Sequence, residues 1–232
     1  MVYNFYNNQI PRHSNGWREN LIRHFQTSTI DGDIYQFGVA SGYSMQVIGS
    51  IVQITNSPRN VPNFFGFDVF EGMPVENVEP EKQLDIPGSF KLTELFDTNN
   101  MADALTQLEK DVKANLPINS HLSIIKGLVE DTLSDDFLKC YLPRQAFYID
   151  MDMDIYSPTK FALSFLIRNK IIVPGTLIGF DDWGQNYPEY PTFTCGESRA
   201  LKEICEEFGV QYDTLAIVGQ NEQAVIKITA IG

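Results

Sequence analysis

Near its C-terminal end the chain runs "QYDTLAIVG" (211–219), then "QNE", then "QAVIKITAI" (223–231). Two strand-like runs parted by three residues leave no room for a helical crossover, so they are expected to pair antiparallel. Upstream the pattern is different. Short apolar runs at 33–39, 63–70, 121–127, 145–152 and 175–181 alternate with amphipathic stretches at 44–54, 102–116, 129–141, 157–170 and 196–209. Strands that alternate with helices pair in parallel and carry the helices on the sheet faces. The expected fold is therefore α/β: a Rossmann-like, seven-stranded, mostly parallel sheet with a C-terminal antiparallel hairpin and helices on both faces.

At 232 residues the chain suits one domain, 1–232, rather than two. "SNGWRENLIRHFQT" (14–27) predicts a helix capped by Ser14 or Asn15, within an N-terminal helical segment 1–30. Residues 71–100 collect Gly, Pro, Glu and Asn and read as a lid-like insertion. Seventeen Lys and Arg against thirty Asp and Glu give a net charge of −13, which argues against nucleic acid or an anionic membrane as partner. A nucleotide-like cofactor stays compatible, because backbone N–H groups at a helix start can hold it. Three widely spaced cysteines (Cys140, Cys195, Cys205), no basic-then-apolar start and no membrane-length apolar run predict a soluble, cytoplasmic protein.

In "DIYQFGVASGYSM", Gly38 and Gly42 flank the passage from the first strand into the next helix. Glycine there either lets a ligand approach the backbone or simply permits a tight, closely packed turn. The spacing is GxxxG, not the GxGxxG of dinucleotide sites. Asp68 ends the next strand, where an acidic side chain suits the two hydroxyls of an adenosine ribose.

Two further strands end in carboxylates. "FYIDMDMDIYSPT" (147–159) presents Asp150, Asp152 and Asp154, and "TLIGFDDW" (176–183) presents Asp181 and Asp182. If these strands are neighbours, Asp152, Asp181 and Asp182 converge on the edge that holds Gly38 and Asp68. Three carboxylates in so small a space favour a cation, and an oxygen-only set points to Mg²⁺, Mn²⁺ or Ca²⁺ rather than zinc. Asp154 is expected in the following loop as an independent group, with Asp154 or Ser157 available as a helix cap. Asp150 either faces the cofactor or bonds a neighbouring loop.

The blocks "GDIYQFGVASGYSM", "FFGFDVFEGMP", "IIKGLVEDTL", "DMDIYSPTKFAL" and "IGFDDWG" resemble, in order, those of the macrocin O-methyltransferase (TylF-type) family. These are class I, Mg²⁺-dependent methyltransferases that use S-adenosylmethionine on sugar hydroxyls. A more distant likeness is to catechol O-methyltransferase. The resemblance places S-adenosylmethionine against Gly38, Gly42 and Ser44, its ribose on Asp68, and its adenine beside Gly127 to Glu130. It assigns Mg²⁺ (or Mn²⁺) to Asp152, Asp181 and Asp182, and the catalytic base to Asp154 or Asp152. Gln36 departs from the family, which carries an acid two positions before the first glycine.

The acceptor so implied is a sugar-bearing metabolite or other small diol, and the enzyme is compatible with a homodimer. Glu71, Trp183 and Tyr187 are candidates for the acceptor pocket or for ordinary packing. Two other readings compete: a metal-dependent hydrolase without S-adenosylmethionine, and an inactive module that retains the fold. His13, His24 and His121 are scattered, with no nucleophile motif beside them.

Overall fold

The computed structural model describes residues 15–55, 61–78, 87–184, 192–218 and 223–232. Expectations for Ser14, His13, Tyr187, residues 79–86 and the "QNE" turn lie outside them. Five strands alternate with helices: β1 (Asp33–Phe37), β2 (Phe64–Asp68), β3 (Leu122–Lys126), β4 (Ala146–Met151) and β5 (Leu177–Phe180). The hairpin follows as β6 (Gln211–Val218) and β7 (Gln223–Ala230). The sheet order is β3-β2-β1-β4-β5-β7-β6, with β7 antiparallel to both β5 and β6.

The order reverses between β1 and β4: the chain first builds outward through β2 and β3, then returns to build the other way. Such a switch point splays the loops apart beyond the carboxyl ends of the strands, and open α/β sheets bind ligands there. Gly38 follows β1 and Asp152 follows β4, so the two motifs singled out above straddle it.

Period-two alternation divides the strands between two cores. Tyr35, Phe37, Ile149 and Met151 face one side, where α5 (Val129–Thr132), α6 (Asp135–Tyr141), α7 (Tyr156–Arg168) and α8 (Gly196–Phe208) pack. Ile34, Tyr148 and Leu177 face the other, beneath α1 (Asn15–Thr27), α2 (Tyr43–Thr55), α3 (Leu92–Leu95) and α4 (Met101–Lys113). In α1, Trp17, Leu21 and Phe25 recur at helical spacing and are all buried.

The structure corrects local expectations. The stretch 129–141 is two short helices, because Leu133 leaves the helical region and Ser134 restarts it by accepting from Phe137 N. In the lid-like insertion, the described parts are tied down. Met73 N bonds Ser89 O, Leu92 N bonds Phe70 O, and Leu92 is fully buried. Neither Asp154 nor Ser157 caps α7: the N-cap is Ile155 and makes no side-chain cap. Glu76, 81 residues before Ser157, performs that role. Its carboxylate accepts from Ser157 N and Ser157 Oγ, both at 2.8 Å.

Candidate active site

Gly38 and Gly42 need to be glycine for reasons of geometry. Both have positive φ, 81° and 76°. A Cβ on Gly38 would fall 1.7 Å from Asp152 O, and one on Gly42 would meet Leu108 Cδ1 at 2.6 Å and Val112 Cγ2 at 2.7 Å. Gly38 lets β1 and β4 close up at the switch point, and Gly42 lets α2 seat against α4. The turn between them is held by Asp68. Its Oδ2 accepts from Val39 N and Ala40 N at 2.8 Å, and its Oδ1 from Phe70 N at 2.6 Å. Burial pushes the Asp68 carboxyl up, and these three bonds oppose that push. The carboxylate expected at the ribose thus also organises the glycine loop, with one of its roughly four acceptor positions left over.

Gly127 bonds Asp68 O through its own N–H, which docks the end of β3 beside that of β2. Glu130 is exposed in the single turn of α5. Ser44 is buried in the first turn of α2 and lines a small cavity with Trp17, Asp150, Asp152, Asp181 and Gln223. Gln36 is buried on β1. Its Nε2 donates to Gly38 O, while its Oε1 has no hydrogen-bond partner among the described residues.

The aspartates divide in a way their spacing does not announce. One carboxylate oxygen from each of Asp152, Asp154 and Asp182 lies within 4.8 Å of the others. Asp181, expected in this group, is turned away and accepts from Gln223 Nε2. Both residues lie past the end of β5, and of the two only Asp182 joins the group among the described residues. Asp154, expected as an independent group, is drawn in by a tight turn: Ile155 N bonds Met153 O at 2.7 Å, and Asp154 at its centre has φ 63°. That backbone region is costly for a non-glycine residue and persists only where the surroundings enforce it.

Asp150 belongs to a buried relay instead. Trp17 Nε1 donates to Tyr148 Oη at 3.0 Å, and Tyr148 Oη donates to Asp150 Oδ1 at 2.8 Å. Burial first, and the Asp150 charge second, push the Tyr148 hydroxyl well up.

The electrostatics of the aspartate group are one-sided. Asp182 Oδ2 is shielded from solvent, and burial pushes this carboxyl well up. The charges that act on it after burial are Asp154, Glu197, Asp181 and Asp152, all of which push the same way.

Glu197 is a member of this neighbourhood that the sequence reading missed. An acid in the first turn of a helix looks like an ordinary complement to the helix dipole. Here it is fully buried. Of the acceptor-pocket candidates, Trp183 is core, packed on Phe180 and Phe193 with centroids 5.3 Å away in each case. Glu71 pairs with Lys126 at 2.6 Å. His24 is also structural, bonded to Phe147 O at 2.9 Å.

No protein-family model matches the chain, and no curated protein matches it in sequence. Solved structures do. The calicheamicin methyltransferase CalS11 aligns with TM-score 0.65 at 18% identity, over 90% of this chain and 76% of its own. The O-methyltransferase NovP aligns with TM-score 0.64 at 15% identity, over 93% of this chain and 80% of its own. An apo structure of CalS11, there described as a TDP-rhamnose 3′-O-methyltransferase, aligns with TM-score 0.56 at 18% identity, over 90% and 76%. At these identities the likeness establishes the fold. The chain has the Rossmann-like fold of these methyltransferases.

Proposed function

We propose that this chain is an S-adenosylmethionine-dependent O-methyltransferase that works with Mg²⁺ or Mn²⁺ on a hydroxyl of a sugar-bearing metabolite or similar small diol. This is the chemistry of the macrocin O-methyltransferase (TylF-type) family that its motifs resemble. One observation carries the reading: an all-oxygen group of three aspartates stands across the switch point from an Asp68-organised glycine loop, in a fold shared with O-methyltransferases. The TDP-sugar named for the apo CalS11 structure supports a sugar acceptor.

The residues fit both groups. Hard carboxylate oxygens suit Mg²⁺ or Mn²⁺, and a cation would relieve the mutual repulsion that adds to burial in raising Asp182. The unpartnered Oε1 of Gln36, buried at the switch point, fits a hydrogen-bond donor of the cofactor's amino-acid end. Asp152, Asp154 and Asp182 would hold the cation. Gly38, Gly42, Ser44, Asp68 and the turn from Gly127 to Glu130 would hold S-adenosylmethionine. When bound, these groups supply an electrophilic methyl and a positive charge that makes an adjacent hydroxyl more acidic.

The chain's own part is to position and to move a proton. Asp154, part-buried, would take the proton from the acceptor hydroxyl. Bound S-adenosylmethionine would supply the methyl for that oxygen, and the chain's contribution would be to hold the two reactants together. Within a single domain 1–232, the lid role is assigned to the segment 71–100, supported in its described part by the bonds of Glu76 to the start of α7.

The test is transfer of a labelled methyl group from S-adenosylmethionine to a panel of nucleotide sugars, glycosides and catechols, with Mg²⁺ or with chelator. Methylation of at least one diol, lost with chelator, is expected. Transfer unaffected by chelator would remove the cation from the mechanism.

A further inference from the structure

The carboxylate of Glu197 makes two hydrogen bonds, and neither serves its own helix. Oε1 accepts from Met153 N at 3.0 Å, and Oε2 accepts from Asp182 N at 3.3 Å. Met153 lies between Asp152 and Asp154 on the loop after β4, and Asp182 lies on the loop after β5. One fully buried side chain therefore ties together the backbones of both loops that carry the aspartate group. The position is costly on its own terms. It buries a carboxylate whose partners among the described residues are two backbone N–H groups, and desolvating such a group is unfavourable. An apolar side chain at the start of α8 would avoid this cost, so packing alone gives no reason for a carboxylate there.

We propose that Glu197 is a positioning residue for the cation site: it holds the loops after β4 and β5 at the separation that lets Asp152, Asp154 and Asp182 share one ion. This rests on the cation reading above. The physical requirement is specific. Two N–H donors on different loops need two acceptors on one rigid planar group, and a carboxylate provides them. Glutamine offers one acceptor and presents an NH₂ group to the other donor. The φ of 63° at Asp154 adds to the need for restraint. Met153 N is fixed by Glu197 on one side of that residue, and Ser157 N is fixed by Glu76 on the other.

The test compares Mn²⁺ binding by the wild type, Glu197→Gln and Glu197→Asp, read from the free Mn²⁺ signal in electron paramagnetic resonance. Thermal unfolding in chelator is recorded alongside. Losing a residue that orients metal ligands weakens metal affinity by about 10- to 100-fold. Glu197→Gln is expected to show such a loss while its metal-free Tm holds or rises, because one carboxylate has left a crowded group. Glu197→Asp keeps the charge but loses reach, and should fall between the two. Glu203→Gln, six residues along the same helix and outside the group, should bind Mn²⁺ as the wild type does.

Equal Mn²⁺ affinity in the wild type and both Glu197 variants would overturn the positioning role and leave the cation reading standing. A wild type that binds no Mn²⁺ would overturn both. A Glu197→Gln that loses Mn²⁺ affinity only in proportion to a collapsed metal-free Tm would also overturn the role, by making Glu197 an ordinary structural residue.

Discussion

Asp68 ends β2 and Asp182 follows β5 on the same edge of one sheet, and their surroundings differ in kind. Asp68 is met by three backbone N–H groups, so its charge is matched by fixed dipoles of the chain itself. Asp182 has carboxylates as its strongest charged neighbours. The first arrangement is complete as it stands and shapes a loop. The second gathers like charges, which the proposed cation would offset. A cleft built this way is stiff on the side assigned to the cofactor and electrically unfinished on the side assigned to the cation. The contrast separates residues whose loss damages the fold from residues whose loss damages only the chemistry.

The largest effect expected is on the unfinished side. Asp182→Ala should lower methyl transfer by about 10³-fold, the order a positioned metal supplies at about 1.4 kcal/mol per tenfold. Its binding of S-adenosylhomocysteine should be retained, and its metal-free Tm should not fall. A Tm loss as large as that of an Asp68 variant would erase the distinction between the two sides.

Asp68→Ala should behave the opposite way. It leaves the N–H groups of Val39, Ala40 and Phe70 without their acceptor, at a cost of roughly 2–4 kcal/mol. Denaturant unfolding measures this directly, and cofactor affinity should fall with it.

Gly42→Ala probes the stiffness of the same loop. With φ at 76° and Leu108 and Val112 within 2.7 Å of the new Cβ, it should cost about 1–3 kcal/mol. Mn²⁺ affinity, read on the other side of the cleft, should not change.

The smallest effect comes from a carboxylate among cations. Partial burial pushes Glu203 upward, but hydrogen bonds from Lys160, Tyr156 and Arg199 hold it at about 2. Its folded-state value lies below the ordinary 4.5. The stabilisation is therefore present above that ordinary value and is lost as pH falls toward about 2. For a pair this open to solvent, Glu203→Gln should cost less than about 1 kcal/mol at neutral pH, and nothing once acid has titrated the wild type. Unfolding midpoints measured against pH check both statements.

The sheet was legible because alternation and spacing are properties of the backbone: seven strands, the hairpin and the faces of α1 follow from periods of two and 3.6. The pairing of the aspartates was not. Asp181 and Asp182 both fall past the end of β5, where strand alternation no longer sets direction, and the turn that brings Asp154 to Asp152 depends on one residue with positive φ. Glu76 and Glu197 were illegible for another reason. Each is a glutamate in a polar stretch, and only tertiary contact reveals that its carboxylate is buried and bonded to a distant loop. Glycine was the opposite case: Gly38 and Gly42 were visible, but whether they served a ligand or a close contact could be decided only by the atoms a Cβ would strike.

The most direct measurement is calorimetric titration of S-adenosylhomocysteine into the protein, with Mg²⁺ and with chelator. Micromolar binding in both conditions is the expected result, because the Asp68-organised side of the cleft is complete without an ion. No binding in either condition would contradict the methyltransferase account and leave the fold without its cofactor.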